Sequence, residues 1–318
     1  MKPTTNPALE RDALYAKSQV YIRRGFRAQG DGNAEEYQLW ASLGLELLGK
    51  AALAKIHPAL IADPTHYQSL FAACGRQVSP DIKTIAAKTL FERLSHVYKS
   101  FDTRHQKFCE QMSLRRNAEL HSGESPFSGM LSEAWEKEFW GATEAILKMQ
   151  DETLDSWLGT EDAKAPAKII EQVEKALEWG VKHRVSRCKD SFEKKHQDSK
   201  QRQQTIDNSN GLTWNDLTWD GSDRCACPAC LSLAFLGGAL WEETIIDTED
   251  AHPDSEEDGE WDPGSETVRK SFSVEAFECP TCKLSLFGIK EIAAAELPSE
   301  FETEEVRERE YEEDYGND

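Results

Sequence analysis

The chain has 318 residues, of which 39% are hydrophobic and 30% are charged, and its formal net charge is −21. This composition excludes a collagen-like chain and a fully disordered one, and the length predicts a main folded unit with an appendage. The sequence contains no run of roughly 18 to 20 apolar residues and no apolar signal-peptide core near its start, so we expect a soluble, cytoplasmic protein without a membrane partner.

The charge is unevenly distributed along the chain. Residues 1–150 carry a net charge of +2 and residues 151–224 carry −3, whereas residues 225–318 carry −20. The acidic C-terminal third disfavours non-specific adhesion to polyanions, but the nearly neutral first half is compatible with a local nucleic-acid site. Net charge alone therefore does not decide the function.

The first 200 residues are rich in strong helix formers, and their apolar residues recur every three or four positions. This pattern predicts helices over about 9–28, 34–56, 65–73, 80–96, 103–121 and 129–149. Because the connections are mostly short, we expect an up-and-down helical bundle over residues 1–158, with Trp135, Phe139 and Trp140 in its core.

Residues 159–212 follow the bundle and are rich in cations. After a break at Gly159 to Pro166, a long helix is predicted over 167–203, followed by a polar linker. The second half of this helix carries Lys182, Arg184, Arg187, Lys189, Lys194, Lys195, Lys200 and Arg202. Such a row is either a solvated helix face or a positive strip that contacts RNA phosphates. The candidate RNA contacts are Arg115, Lys182, Arg184 and Arg187.

From Cys225 onward the sequence favours strands. They are predicted over 231–236, 240–246, 268–277 and 284–289, and they indicate a small β-rich domain over residues 213–295. An acidic insertion at 247–266 cannot be buried, so we expect a mobile loop there. Residues 296–318 are predicted to be an acidic tail, which either solubilises the chain or mimics nucleic acid and masks a basic site.

The cysteines are concentrated in this same region. Residues 227–230 read C-P-A-C and residues 279–282 read C-P-T-C, which are two matched turns that each present two thiolates. Two such turns complete the four-sulfur tetrahedron that Zn²⁺ prefers, and the closed shell leaves no position for a catalytic water. We therefore expect a structural zinc ion bound by four cysteines, with its binding coupled to folding. The ligands are Cys227, Cys230, Cys279 and Cys282.

This region resembles zinc-ribbon domains, because a strand-like run follows each cysteine turn. The 48 residues between Cys230 and Cys279 exceed the compact ribbon spacing, and the acidic insertion accounts for most of the excess. A thiol redox pair and cysteines without a role remain as alternatives. Cys225 can replace Cys227 in the metal shell, although the paired symmetry favours Cys227.

The most informative stretch is R-R-N-A-E-L-H at residues 115–121, at the end of a predicted helix. On a helix Asn117 and His121 share a face, whereas Arg116 is rotated from His121 by roughly 140°. The trio combines a fixed cation for a phosphate, a titratable imidazole and an amide that can orient either one. The alternative interpretation is a helix end with an exposed arginine and histidine.

An R-N-x-x-x-H pattern within a helical bundle resembles the HEPN family, whose main signature is R-x(4–6)-H. The resemblance covers roughly residues 9–150. HEPN helices often carry an inward acidic residue, and Glu46, in the apolar sequence LELLGKAAL, is the candidate for this orienting group. The implied fold is mainly α, with a HEPN-like bundle, a long connecting helix and a small β-rich zinc ribbon.

The resemblance implies a metal-independent endoribonuclease that acts as a homodimer. The two copies of Arg116, Asn117 and His121 would form one composite site that leaves 2′,3′-cyclic phosphate ends on RNA. Members of the family often serve as toxins, phage-defence effectors or RNA-processing factors, so an inhibitor or sensor protein is a further expected kind of partner.

Two other functions compete with the nuclease hypothesis. The first is a non-catalytic HEPN and zinc-ribbon module for protein interaction or regulation. The second is a DNA-binding zinc ribbon, which the net charge of −20 over residues 225–318 disfavours because phosphate binding needs local cations.

Overall fold

The computed structural model describes residues 6–129, 132–209, 219–248 and 264–308. It is mostly helical with a small antiparallel sheet, which confirms the predicted combination of a mainly α chain and a small β-rich region. The chain divides into two compact units, residues 1–176 and 177–318. None of the helices in the described ranges is long and apolar enough to cross a membrane.

The helices follow the predicted order closely. They are α1 Arg11–Gly30, α2 Ala34–Ile56, α3 Tyr67–Ala73, α4 Ala87–Val97, α5 Thr103–His121, α6 Ser132–Lys148, α7 Leu154–Leu158, α8 Thr160–Lys195, α9 Ser199–Ser209 and α10 Ile289–Ala294. The bounds of α2 and α5 equal the predicted ones, because each helix follows an N-cap residue, Asn33 or Asp102, whose side chain accepts a backbone hydrogen bond from the first turn.

The core of the first unit surrounds α2, which has buried residues along almost its whole length from Tyr37 to Ala54. Trp135, Phe139 and Trp140 of α6 are buried, as predicted, and the indole of Trp135 packs 5.0 Å from the ring of Tyr37. Because α2 is enclosed, any polar side chain in its middle needs a partner inside the protein.

The helix predicted from the Ser79-Pro80-Asp81 signal was placed too early. Residues 81–86 are instead extended, and the helix α4 begins only at Ala87. The backbone N–H of Asp63 donates to the carbonyl of Lys83 at 3.0 Å, and that of Ile85 donates to the carbonyl of Ile61 at 3.0 Å. These long-range backbone bonds override the local capping signal.

The break predicted from Gly159 to Pro166 is confined to Gly159, which has a φ of 91°, and the predicted linker after α8 was wrong. The helix starts at Thr160 and continues through Pro166, because Ala163 and Ile170 are anchored in the core on either side of the proline. Residues predicted as linker form α9, whose Ser209 is buried and accepts a hydrogen bond from the backbone N–H of Leu233 at 2.7 Å.

The second unit contains a twisted antiparallel sheet with α8 and α9 contributing to its core. The described strands are β1 Gly221–Ala226, β2 Leu233–Thr248, β3 Ser265–Glu278, β4 Ser285–Phe287 and β5 Glu300–Glu308. They pair in the order β1-β2-β3-β4, and β5 also pairs with β3. Val181 and Phe192 of α8 belong to the same core as Phe277 of β3.

The acidic tail prediction was wrong over residues 300–308, which form β5. The strand is held by charge pairs with the facing strand, since Arg269 binds Glu304 at 2.8 Å and Lys270 binds Glu305 at 2.5 Å. Phe301 also stacks on Phe272 with ring centroids 4.9 Å apart. Residues 309–318 of the predicted tail and 249–263 of the predicted acidic loop lie outside the described residues.

Candidate functional site

The predicted catalytic residues lie on α2 and α5 of the first unit. The inner face of α5 carries His105, Cys109 and Met112, all buried, and Arg116 continues this stripe one turn further. Its side chain is only 12% exposed. The sequence of α5 thus directs a guanidinium along the inward side of the helix, toward the enclosed helix α2.

The Arg116 guanidinium meets the carboxylate of Glu46. Its Nη1 donates to Glu46 Oε2, while Nε and Nη2 donate to Asn117 Oδ1 at 3.1 and 2.8 Å. The other carboxylate oxygen, Oε1, accepts from Lys50 Nζ at 2.8 Å, and the same ammonium donates to Thr84 Oγ1 at 3.0 Å. Glu46, Arg116 and Asn117, chosen from sequence, are therefore brought together.

Positive charges outnumber negative charges among Glu46, Lys50 and Arg116. Burial raises the pKa of Glu46, but the nearby charges of Lys50 and Arg116 and their hydrogen bonds outweigh burial, so the pKa is lowered overall. The carboxylate is therefore ionised at neutral pH. Two cations surround one anion, and the excess positive charge suits a phosphate ligand.

His121 occupies a different environment from the other predicted catalytic residues. It is the last residue of α5, is exposed, and has no hydrogen-bond or ion-pair partner among the described residues. It lies one helical turn beyond Asn117, about 6 Å along the axis. Leu114, which is 68% exposed, falls within about 60° of both residues around the helix, so the three share one outward face.

The candidate RNA contacts are dispersed. Arg115 is partly exposed on α5, and Lys182 and Arg187 are exposed on α8. Arg184 has another role, because its Nη2 lies 2.6 Å from a carboxylate oxygen of Glu291 and its Nη1 donates to the carbonyl of Ser285 at 3.3 Å. This arginine joins α8 to the β4–α10 region of the second unit.

Sequence reasoning missed Lys50 and Thr84 as members of the Glu46 group. Lys50 had a usable signal, since it stands four residues after Glu46 in the otherwise apolar stretch 43–54 and therefore on the same face of the helix. Thr84 had none, because its position depends on the extended segment 81–86 and its backbone pairing with residues 61–63.

The two cysteine turns of the second unit have matching backbone geometry. In the first turn Leu231 N donates to the carbonyl of Cys227 at 2.9 Å, and in the second Lys283 N donates to the carbonyl of Cys279 at 2.9 Å. Leu231 and Lys283 both have a φ of 64°. Such a left-handed residue after each C-P-x-C sequence closes a tight turn and directs both of its thiols to one side.

The turns bring four thiols into one cluster. Their Sγ atoms lie within 4.8 Å of one another, and the Cys227–Cys282 and Cys230–Cys279 pairs are each 3.6 Å apart. A tetrahedral zinc site with Zn–S bonds of about 2.3 Å would place its sulfur atoms about 3.8 Å apart. The donor set and its spacing therefore fit a metal ion, as the sequence predicted.

The position of Cys225 decides between the two possible ligand sets. Cys225 lies outside the cluster, and burial raises its pKa to about 11. The quartet thus contains Cys227 rather than Cys225.

Comparison of the chain with protein-family models, with curated proteins and with solved structures gives no match.

We predict that Glu46→Gln lowers the free energy of unfolding by roughly 3 kcal/mol at pH 7, because it leaves two partly buried cations without their anion. The lowered pKa means that the ionised carboxylate stabilises the folded chain above its ordinary pKa near 4.5 and that this contribution is lost as the pH falls further. The difference between wild type and variant should therefore shrink between about pH 5 and pH 3. Chemical denaturation at several pH values measures it.

The matched control is Glu35→Gln, which removes an exposed carboxylate from the first turn of the same helix. A pH-independent difference for Glu46→Gln would contradict the assigned charge interaction.

Proposed function

We propose that the protein is a metal-independent endoribonuclease of HEPN type, which acts as a homodimer with a composite Arg/His site. The observation that carries this proposal is the fixed position of Arg116 beside Glu46 and Asn117, on the same helix as an exposed His121. Lys50 contacts the same carboxylate, so two cations share one anion, and a phosphate would supply a second negative charge.

The donors of Arg116 suit a phosphodiester. A guanidinium has five N–H groups, and the contacts to Glu46 and Asn117 use three of them. The remaining two can bind a phosphoryl oxygen and stabilise the charge that develops there. Because Glu46 and Asn117 already fix the side chain, little conformational freedom is lost when the phosphate binds.

Proton transfer is the task for His121. The 2′-OH of RNA is its own nucleophile, so cleavage needs a base that removes its proton and an acid that protonates the leaving 5′-oxygen. One imidazole per protomer can serve one of these steps at a time, and a two-fold axis supplies the second. The products are a 2′,3′-cyclic phosphate and a 5′-hydroxyl, and the scheme assigns no step to a metal ion.

We predict that the purified protein cleaves single-stranded RNA in the presence of EDTA and that His121→Ala lowers the rate at least 100-fold, the usual contribution of a general acid or base. Arg116→Ala should reduce it by a similar factor because the phosphoryl charge loses its donor. Radiolabelled RNA resolved on gels, with end-group analysis for the cyclic phosphate, measures both effects.

The control for the histidine is His96→Ala, which removes another exposed imidazole from the last turn of a helix, here α4. Cleavage that requires added Mg²⁺, or full activity of His121→Ala, would contradict the mechanism. A protein without nuclease activity that still dimerises would instead favour the non-catalytic interaction module.

The homodimer would use the outward face of α5. Leu114 shares this face with Asn117 and His121, and an apolar side chain so exposed beside polar ones is typical of an interface. Packing α5 of one copy in parallel against α5 of the other, about a two-fold axis along the helices, would bury Leu114 and place the two copies of His121 at the same end of the contact.

We predict that Leu114→Asp converts a dimer into monomers and reduces cleavage, because it places two carboxylates at the two-fold contact. Analytical ultracentrifugation measures the dissociation constant, which should rise at least 10-fold. Val20→Asp, at an exposed valine of α1, is the matched control. Unchanged dimerisation of Leu114→Asp would place the interface elsewhere.

We also propose that the metal held by the cysteine quartet is a structural Zn²⁺. Four thiolates with no non-sulfur donor form the set that this ion accepts in closed sites. Two turns from distant parts of the chain would be joined by the metal, which supplies binding energy to a small sheet.

We predict about one zinc per chain by elemental mass spectrometry of the purified protein. Cys230→Ser and Cys282→Ser should each lose most of it and lower the melting temperature of the second unit, because the shell loses a thiolate. Cys225→Ser is the control and should retain the metal, since this thiol lies outside the quartet. Equal zinc loss from Cys225→Ser, or iron in place of zinc, would contradict the assignment.

A further inference from the structure

Trp179 of α8 is 69% exposed, the highest value among the large hydrophobic side chains of the described residues. A single exposed hydrophobic residue is normal and by itself needs no explanation. Trp179 differs because its ring stacks on the imidazole of His183 at the next turn, with centroids 5.1 Å apart and planes 17° from parallel. The stack fixes the indole and leaves its other face open to solvent.

Two exposed cations follow the indole along the helix. Lys182 is three residues further along the helix and Arg187 is eight, and both side chains are exposed. Residues 171–187, which lie within about 12 Å of Trp179 along the helix axis, carry four lysines and arginines against three glutamates. Charges more than about 10 Å away are largely screened in physiological salt, so the exposed cations nearest the indole matter more for binding than the acidic C-terminal region.

A fixed aromatic ring beside flexible cations is the arrangement that binds single-stranded nucleic acids. Bases stack on the ring whatever their sequence, and the cations follow the phosphates. A protein partner could also use an exposed tryptophan, but the adjacent lysine and arginine favour a polyanion over an uncharged or basic protein surface.

We propose that Trp179, backed by His183, is a stacking platform for an unpaired RNA base, and that Lys182 and Arg187 bind the adjoining phosphates. This proposal rests on the proposed ribonuclease function and gives its single-stranded RNA substrate a binding contact outside the catalytic residues. The basic residues of α8 then have two roles. Arg184 forms an ion pair within the protein, whereas Lys182 and Arg187 contact RNA phosphates.

The test uses the full chain with His121→Ala, so that the RNA stays intact. Two fluorescent probes are compared by anisotropy, a 12-nucleotide oligouridine and an abasic ribose-phosphate chain of the same length. Trp179→Ala should weaken binding of oligouridine roughly 5-fold or more, the loss expected for one stacked base, and change binding of the abasic chain less than 2-fold. Trp179→Phe should retain most of the affinity.

Cation variants give the complementary result. Lys182→Ala combined with Arg187→Ala should weaken both probes and reduce the salt dependence of binding, because fewer counterions are released. The matched aromatic control is Tyr67→Ala, at a tyrosine of the first unit that is 62% exposed. Circular dichroism of each variant checks that the helices are intact.

Several results would overturn the platform. The proposal is wrong if the protein does not bind oligouridine, if Trp179→Ala leaves its affinity unchanged, or if Trp179→Ala weakens binding of both probes equally. A change in oligomeric state on removal of the indole would also contradict it and would identify a protein interface. The nuclease proposal is tested separately with active protein. If Trp179→Ala binds oligouridine normally and the active protein cleaves RNA in EDTA, only the platform proposal is wrong. If Trp179→Ala selectively loses oligouridine binding but the active protein does not cleave RNA, only the nuclease proposal is wrong.

Discussion

The arrangement of the first unit depends on an anion placed in an enclosed helix. Glu46 lies in the middle of α2, where burial alone would raise its pKa, and it stays ionised because Lys50 and Arg116 each donate to one of its oxygens. Meeting this requirement connects three segments of the chain. Lys50 reaches the extended segment through Thr84, and Arg116 fixes α5 against α2. The geometry proposed for catalysis is thus also a condition for folding.

The sheet of the second unit is small and heavily charged, so its strands alone form only a limited apolar core. Its apolar core is completed by residues of α8 and α9, and its cysteine turns meet at one cluster. A metal there would connect the turn before β2 to the turn after β3. The sheet therefore depends on helical residues that the sequence pattern assigned to a connecting segment, and on a ligand set that the pattern identified directly.

The features that were predictable from sequence are those determined by residues close to one another along the chain. The 3.6-residue periodicity and the side-chain caps located α2 and α5, and the repeated C-P-x-C spacing located the four thiols. Local sequence signals gave the wrong secondary structure where contacts with residues distant in the chain determined it. Ser79-Pro80 resembles a helix start, but residues 81–86 bind the backbone of 61–63, and the glutamates of β5 resemble a tail until Arg269 and Lys270, more than 30 residues earlier, neutralise them.

The glutamate-rich strand β5 has a consequence for solubility. It occupies the outer side of β3, so the hydrogen-bonding groups it leaves open to solvent are accompanied by a row of carboxylates. If two molecules approached through their β5 edge strands, like charges would face each other at close range and make strand pairing between the molecules unfavourable. The acidic sequence thereby disfavours edge-to-edge pairing between the sheets of two molecules.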